Sequence, residues 1–298
     1  MNTYRNESAR KRLDEWFIRF CERIDSPFES LEVPTRFGDN HVLVAGPPGA
    51  TPIVCLHAMR TGSAFLVSEL NPVLDRYRVI APDLPGQSIR GLQTRLPLND
   101  DSHVHWLTDI LDELDLGATK LFGVSWGGFI ARQFSTSVPG RVEKLALLVP
   151  AGIVNGSHLT GLAKMALPLL RYRLWRSPEN LRRLLEPLFS SWDEGWAQYT
   201  GDAIQDMPFD FRIPPLATDQ ELEDLRMPVL ALGGSDDISF PGKDLVTRIT
   251  ALAPNAQGEV LQNCKHCPPL TQNFRSWLAD RLVTFFELGD DGELRVSG

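Results

Sequence analysis

The sequence predicts an α/β fold in which helices flank a mostly parallel eight-stranded sheet and a helical segment is inserted into it. Short apolar runs alternate with segments of helical periodicity, which is typical of strands buried between two layers of helices. One long interval between two of these runs contains helical patterns alone. A chain of 298 residues, of which 43% are hydrophobic, is long enough to bury such a core.

Six apolar runs predict the parallel strands. In chain order they are Ile53–Leu56, Arg78–Ala81, Lys120–Gly123, Leu145–Val149, Val229–Leu232 and the weaker Glu259–Leu261. Two more strands precede them, over residues 31–38 and 41–46, with Gly38-Asp39-Asn40 as the turn between them. This order predicts an antiparallel hairpin at the leading edge of the sheet.

Several helices are marked by start and stop signals. Asp100 or Asp101 can cap a helix over residues 102–114, for which Gly117 is the expected C-terminal stop. Residues 271–287 carry the periodicity of a last helix. The sheet is therefore expected to be covered by helices between its strands and after its final strand.

The interval between the strands that end at Val149 and begin at Val229 is too long for a single crossover. It ends in a capping-box pattern, Thr218 to Glu221, just before the sheet restarts. We predict that this interval is a helical lid. The predicted organisation is an N-terminal helical arm (1–29), a first part of the core (30–152), the lid (153–226) and a second part of the core (227–298).

Composition excludes several classes of protein. The formal charge of −8, from 38 acidic and 30 basic residues, argues against a nucleic-acid partner. The polar N-terminus and the lack of any apolar run near ~20 residues predict a cytoplasmic protein without membrane association. Arginines between positions 171 and 183 leave weak association with an anionic membrane surface as the alternative. Four cysteines do not make a disulfide scaffold.

The segment Gly123-Val124-Ser125-Trp126-Gly127 lies between a predicted strand and an amphipathic stretch. Its G-x-S-x-G spacing is typical of a nucleophile elbow, a turn that presents a reactive serine above the edge of a sheet. Glycines are needed there because the turn is strained and crowded by the adjoining strand and helix. The pattern alone fits a tight turn with a capping serine equally well.

A serine hydroxyl is a weak nucleophile at neutral pH and needs a base, which in turn needs an acid to orient it. Of six histidines, His266 lies between a predicted strand and the following helix, at the sheet edge where the elbow also lies, whereas His41, His103, His105 and His158 do not follow a strand's carboxyl end. Asp236 and Asp237 follow another strand at that edge. The residues themselves favour Asp237 and leave Asp236 as the alternative.

These motifs, with Leu56-His57-Ala58-Met59, Ala81–Gly86 and Asn263–His266, resemble the lid-bearing, carboxylesterase-like serine hydrolases of the α/β-hydrolase fold over residues 30–287. The resemblance implies a catalytic triad in the order Ser125, Asp237, His266, and its spacing from glycine to acid selects Asp237. It also implies an oxyanion hole formed by the amides of Met59 and Trp126, and neither metal nor organic cofactor. His57 would orient the oxyanion loop, in which a positive φ at Ala58 would be strained.

The activity implied by the resemblance is hydrolysis of a small or medium carboxylic ester through an acyl-enzyme, with a small-molecule ester as the partner. Alternatives are another acyl hydrolase on the same triad (peptidase, lactonase or polyester depolymerase) and a weakly catalytic ligand-binding receptor. Serine at position 125 argues against the dehalogenases and epoxide hydrolases of this fold, which use a carboxylate. The apolar lid residues either face an acyl chain or pack the lid on the core: Leu159, Leu162, Met165, Leu169, Leu170 and Trp175.

Overall fold

The structure is a computed structural model that describes residues 3–208, 210 and 212–287. Its centre is an eight-stranded sheet in the order β1-β2-β4-β3-β5-β6-β7-β8. The strands are β1 (Phe28–Thr35), β2 (Gly38–Ala45), β3 (Thr51–Leu56), β4 (Tyr77–Pro82), β5 (Thr119–Val124), β6 (Val142–Leu148), β7 (Val229–Gly234) and β8 (Ala256–Leu261). β2 is antiparallel to both of its neighbours, and the pairs from β4 to β8 are parallel. The α/β class and the eight predicted strands are confirmed.

The described helices alternate with the strands as predicted. They are α1 (Glu7–Cys21), α2 (Ser63–Glu69), α3 (Ser102–Glu113), α4 (Trp126–Ser137), α5 (His158–Gly161), α6 (Leu167–Leu174), α7 (Pro178–Leu185), α8 (Glu194–Asp206), α9 (Asp219–Glu223), α10 (Gly242–Leu252) and α11 (Gln272–Glu287). A π-helical turn, Leu162–Ala166, joins α5 to α6. Within the described residues, no helix combines the length and the apolar character needed to cross a membrane.

Each face of the sheet is buried under its own layer of helices. Along β3, Ile53 and Cys55 belong to one apolar cluster and Val54 and Leu56 to the other, as the period-two alternation of a strand requires. Helices α1, α2, α8 and α11 contribute to the first cluster, and α3, α4 and α10 to the second. Fully buried parallel strands therefore show continuous apolar runs.

Two local predictions are wrong by a few residues. Thr35 pairs with Gly38 across the hairpin, so the turn is Arg36-Phe37 and the predicted turn Gly38-Asp39-Asn40 lies within β2. Helix α3 ends before the predicted stop at Gly117, because Asp115 adopts the left-handed conformation with φ of 52°. Aspartate tolerates this region better than most residues. The capping box from Thr218 to Glu221 is confirmed at the start of α9.

The strand order reverses beside β3. The chain passes from β3 to its neighbour β4 and then returns across β3 to form β5 on the other side. Ligands in α/β sheets bind at such a switch point, outside the carboxyl ends of the two strands. Leu56 at the end of β3 is aligned with Gly123 in β5. The segments that follow these two strands therefore leave the sheet side by side.

Candidate active site

Ser125 lies in a sharp turn between β5 and α4 and has a φ of 50° and a ψ of −109°. The turn is held by the Ser125 N–H, which donates to the Leu148 carbonyl at 3.0 Å. A side chain at Gly127 would have its Cβ 2.2 Å from the Leu56 carbonyl oxygen, and one at Gly123 would have its Cβ 2.6 Å from the carbonyl oxygen of Gly127. Glycine is needed at both positions because backbone atoms fill the space, as the spacing predicts.

The loops after β7 and β8 bring a carboxylate and an imidazole to the same edge of the sheet as Ser125. The Ser125 hydroxyl lies 3.0 Å from Nε2 of His266, and Nδ1 of His266 lies 2.9 Å from Oδ2 of Asp237. Oδ1 of Asp237 accepts the backbone N–H groups of Ser239 at 2.7 Å and Phe240 at 3.0 Å. The Asp237 side chain is fully buried. These bonds hold the carboxylate against the imidazole and leave it no other orientation.

Asp236, the alternative acid, is not part of the hydrogen-bonded series Ser125, His266 and Asp237. Its side chain is exposed to solvent, whereas its backbone N–H donates to the carbonyl of Cys264 at 2.9 Å. That backbone bond ties the loop after β7 to the loop that carries His266. The structure therefore joins Ser125, His266 and Asp237 by hydrogen bonds and directs Asp236 outward.

His57 follows β3 and is buried under the segment Ala58-Met59-Arg60. Its Nε2 accepts the backbone N–H of Leu84 at 2.9 Å, so its Nδ1 carries the proton and donates to the Ala58 carbonyl at 2.7 Å. These two bonds fix the orientation of the imidazole ring and hold the backbone at Ala58. His57 thus supports the loop and does not face Ser125.

The two amides predicted to form an oxyanion hole are those of Met59 and Trp126. Within the described part of the chain, neither backbone N–H donates to another protein group. Ala58 does not adopt a positive φ, and the left-handed residue of this loop is Arg60, with a φ of 58°. The left-handed conformation that would be strained at Ala58 is therefore adopted by Arg60, two residues later.

A buried polar network around Asp83 anchors the start of α2, which follows the loop that carries Met59 and Arg60. The Asp83 carboxylate accepts the backbone N–H of Ser63 at 2.9 Å, the Ser63 hydroxyl at 2.8 Å and Nδ1–H of His41 at 2.7 Å. Burial by itself would raise the pKa of Asp83, but His41 and His57 together outweigh burial and hold the pKa well below its usual value. The charged carboxylate thereby fixes the first turn of α2.

Tyr199, on α8, was not a candidate from the sequence. Its hydroxyl lies 2.7 Å from the carbonyl oxygen of Arg60 and 2.8 Å from that of Thr61, so it donates to the loop that follows β3. Burial raises the pKa of Tyr199 far above its usual value, which keeps the hydroxyl protonated as a donor. The helical pattern around Tyr199 does not indicate that its hydroxyl would contact the backbone of a distant loop.

A cavity of about 440 Å³ opens between the Ser125 hydroxyl and helices α5 to α8. Its walls are aliphatic and aromatic for the most part, with Met165, Leu169 and Leu188 among them. Phe65 and Trp196 stack face to face in this wall with ring centroids 3.9 Å apart. Arg60 also lines the cavity, and burial lowers its pKa to about 10, so it stays cationic at neutral pH. The cavity therefore suits an apolar group attached to a carbonyl.

Cys264 and Cys267, on either side of His266, are free thiols. Burial raises the pKa of Cys264 to about 11 and that of Cys267 to about 12, so neither is a thiolate at neutral pH. The backbone N–H of Cys267 donates to the carbonyl of Leu188 at 2.8 Å. The two cysteines thus pack beside His266, and Cys267 helps to join its loop to the segment after α7.

Comparison with known proteins agrees with this arrangement. A family model described as alpha/beta hydrolase fold matches residues 51–272. The chain is 26% identical over 264 residues to the uncharacterized carboxylesterase nap of Bacillus subtilis, which covers 87% of this chain and 86% of that protein. It is also 26% identical to carboxylesterase YbfK of the same organism over 281 residues, or 90% of this chain and 93% of that one.

A solved structure supports the same fold. The crystal structure of naproxen esterase from Bacillus subtilis superposes with a TM-score of 0.82 at 23% identity and covers 95% of this chain and 99% of that one. Identity at this level shows a common fold and does not transfer an activity. The eight-stranded sheet with its flanking helices is therefore shared with a protein of almost the same extent.

Proposed function

Because the chain belongs to the α/β-hydrolase family, we propose that it is a serine hydrolase that cleaves carboxylic esters of small or medium size. The observation that carries the proposal is the hydrogen-bonded line from Ser125 through His266 to Asp237 at the mouth of an apolar cavity. The carboxylesterase names of its relatives support an ester as the substrate.

In the proposed reaction, Oγ of Ser125 attacks the carbonyl carbon of the ester while Nε2 of His266 takes its proton. Asp237 stabilises the imidazolium that forms and holds Nδ1–H toward itself. The proton then passes from His266 to the leaving alcohol, and an acyl-enzyme remains on Ser125. Water deprotonated by His266 releases the acid by the same steps.

The oxyanion of each tetrahedral intermediate would be bound by the backbone N–H groups of Met59 and Trp126. One such donor contributes on the order of 3 kcal/mol to transition-state stabilisation. His57 and the Asp83 network act on this loop through the backbone, so they are positioning residues in the proposal. No metal or organic cofactor takes part in these steps.

The test is labelling with a fluorophosphonate, measured by intact mass, together with hydrolysis of p-nitrophenyl esters from acetate to decanoate. We expect the wild type to gain one label and to turn over esters, and Ser125→Ala to lose both while keeping its melting temperature. Ser137→Ala, at the exposed end of α4, is the matched control and should behave as the wild type. A folded wild-type protein that neither reacts nor turns over would refute the proposal and favour a ligand-binding protein.

A further inference from the structure

The outer face of the helical segment 158–174 carries a stripe of apolar side chains that face water. It consists of Leu159, Leu162, Leu167, Leu170 and Leu174, which are between 55% and 79% exposed. Trp175 follows the stripe and is 65% exposed. These residues recur three to five positions apart across α5, the π turn and α6, so they lie along one side of the helix.

The opposite side of this segment is apolar as well. Met165 and Leu169 line the cavity next to Ser125, and Tyr172 is buried. Apolar faces of a helix are normally covered, by a protein core or by lipid. Here one side is covered by the protein and the other is not. Leu159, Leu162 and Leu170 therefore neither pack the segment on the core nor line the cavity.

The segment that carries the stripe has a local excess of positive charge. From Asn155 to Pro178 the chain contains four cations, Lys164, Arg171, Arg173 and Arg176, and no acidic residue, although the formal charge of the whole chain is −8. Arg171 is exposed and donates through Nε to Oδ1 of Asn180 at 2.8 Å, which holds its guanidinium beside the stripe. The surface thus combines exposed leucines with a local excess of positive charge.

We propose that this face adsorbs on an anionic lipid surface. Leucine and tryptophan side chains enter the boundary between headgroups and acyl chains, while nearby cations are attracted to anionic headgroups. A second copy of the chain is less suited, because a two-fold interface sets the same patch against itself and brings its cations together without an acidic partner from the segment. The proposal goes beyond ester hydrolysis and does not depend on it.

The position of the stripe next to the cavity adds a consequence. Ala166 and Met59 are exposed and also line the cavity, so the segment that carries the stripe forms part of its rim. Adsorption through the stripe would bring this rim to the lipid surface. Apolar molecules dissolved in that surface would then enter the cavity without crossing bulk water.

The test is co-sedimentation of the full chain with vesicles of phosphatidylglycerol and, separately, of phosphatidylcholine. We expect binding to phosphatidylglycerol that weakens with added salt, and at least about tenfold weaker binding to phosphatidylcholine. Three variants each change the charge by one unit: Leu170→Glu, Arg176→Gln and Ile18→Glu. Ile18 lies on α1 and is 50% exposed, so it is the matched control for Leu170.

We expect Leu170→Glu to weaken binding to phosphatidylglycerol at least about tenfold and Arg176→Gln about fivefold, with less than about a twofold effect of Ile18→Glu. Absence of binding by the folded wild type, or equal loss in Ile18→Glu and Leu170→Glu, would overturn the proposal. So would a wild-type dimer in light scattering that Leu170→Glu converts to a monomer, because a second copy would then cover the stripe. Fluorophosphonate labelling of the same samples tests the proposed hydrolase separately.

Discussion

The choice of acid can be tested with two neighbouring residues that differ in burial. Asp237→Asn replaces one oxygen of a buried carboxylate by an amide nitrogen, and Asp236→Asn makes the same change on an exposed side chain. Both substitutions remove one charge and preserve shape. Any difference in activity between them therefore reports what the buried carboxylate of Asp237 does for His266.

The magnitude follows from the partners of Asp237. Its Oδ1 accepts two backbone N–H groups, so an asparagine at this position must keep its amide oxygen there and turn its NH₂ group toward Nδ1 of His266. Two donors cannot face each other, and His266 must shift its proton to Nε2. Nε2 then has no lone pair for the Ser125 hydroxyl, 3.0 Å away. A triad held in the wrong tautomer loses activity about 10⁴-fold, or about 5 kcal/mol.

The assay is kcat/KM for p-nitrophenyl butyrate, with thermal unfolding of each variant as the check on folding. We expect Asp237→Asn to lose about 10⁴-fold and Asp236→Asn to stay within about twofold of the wild type. An Asp237→Asn variant that is folded and within tenfold of the wild type would refute the tautomer argument. A larger loss for Asp236→Asn would move the acid to that residue.

Two further predictions concern stability. Gly127→Ala should destabilise the protein by at least about 3 kcal/mol in urea unfolding, because the new Cβ would lie 2.2 Å from the carbonyl oxygen of Leu56. Gly140→Ala is the control: a Cβ at Gly140 would meet no atom of the described residues within 4 Å apart from its chain neighbours, so the free energy of unfolding should change by less than about 0.5 kcal/mol. Burial lowers the pKa of His103 from 6.5 to about 4, so the unfolded chain binds more protons between these values and stability falls as the pH drops through them. Between pH 7 and pH 5, the wild type should therefore lose about 2 kcal/mol more than His103→Gln.

Each of these two predictions has an outcome that contradicts it. If Gly127→Ala is as stable as Gly140→Ala, the elbow is not crowded by the end of β3. If the wild type and His103→Gln lose the same stability on acidification, then His103 does not resist protonation in the folded state. The urea midpoint and the slope of each transition, measured at both pH values, distinguish a change in stability from a change in cooperativity.

The predictions that held rest on signals confined to a short stretch of chain. Each parallel strand is a continuous apolar run because both of its faces are buried, and this composition is visible without knowledge of its neighbours. The crowding at Gly123 and Gly127 arises within one strand-turn-helix unit and its immediate surroundings. The capping box at Thr218 joins groups only three residues apart. The spacing of residues along the sequence therefore predicts local geometry of this kind.

Contacts between distant segments were not foreseeable in the same way. Neither the hydrogen bonds of Tyr199 to the backbone of Arg60 and Thr61 nor the network around Asp83 follows from any spacing, because packing decides which helix meets which loop. Whether Asp236 or Asp237 meets His266 likewise depended on the resemblance to a family. In the structure, the backbone bonds of Asp237 turn its side chain inward.

The sequence by itself determined the order of strands and helices, the strained serine turn and the sheet edge at which the candidate residues gather. Tertiary structure alone decided which side of the segment 158–174 faces water. The physical reason is that this segment is apolar on both sides, so its periodicity has no single buried face and cannot indicate an orientation. Because α6 packs against α7, Met165 and Leu169 line the cavity, whereas Leu170 is exposed to water.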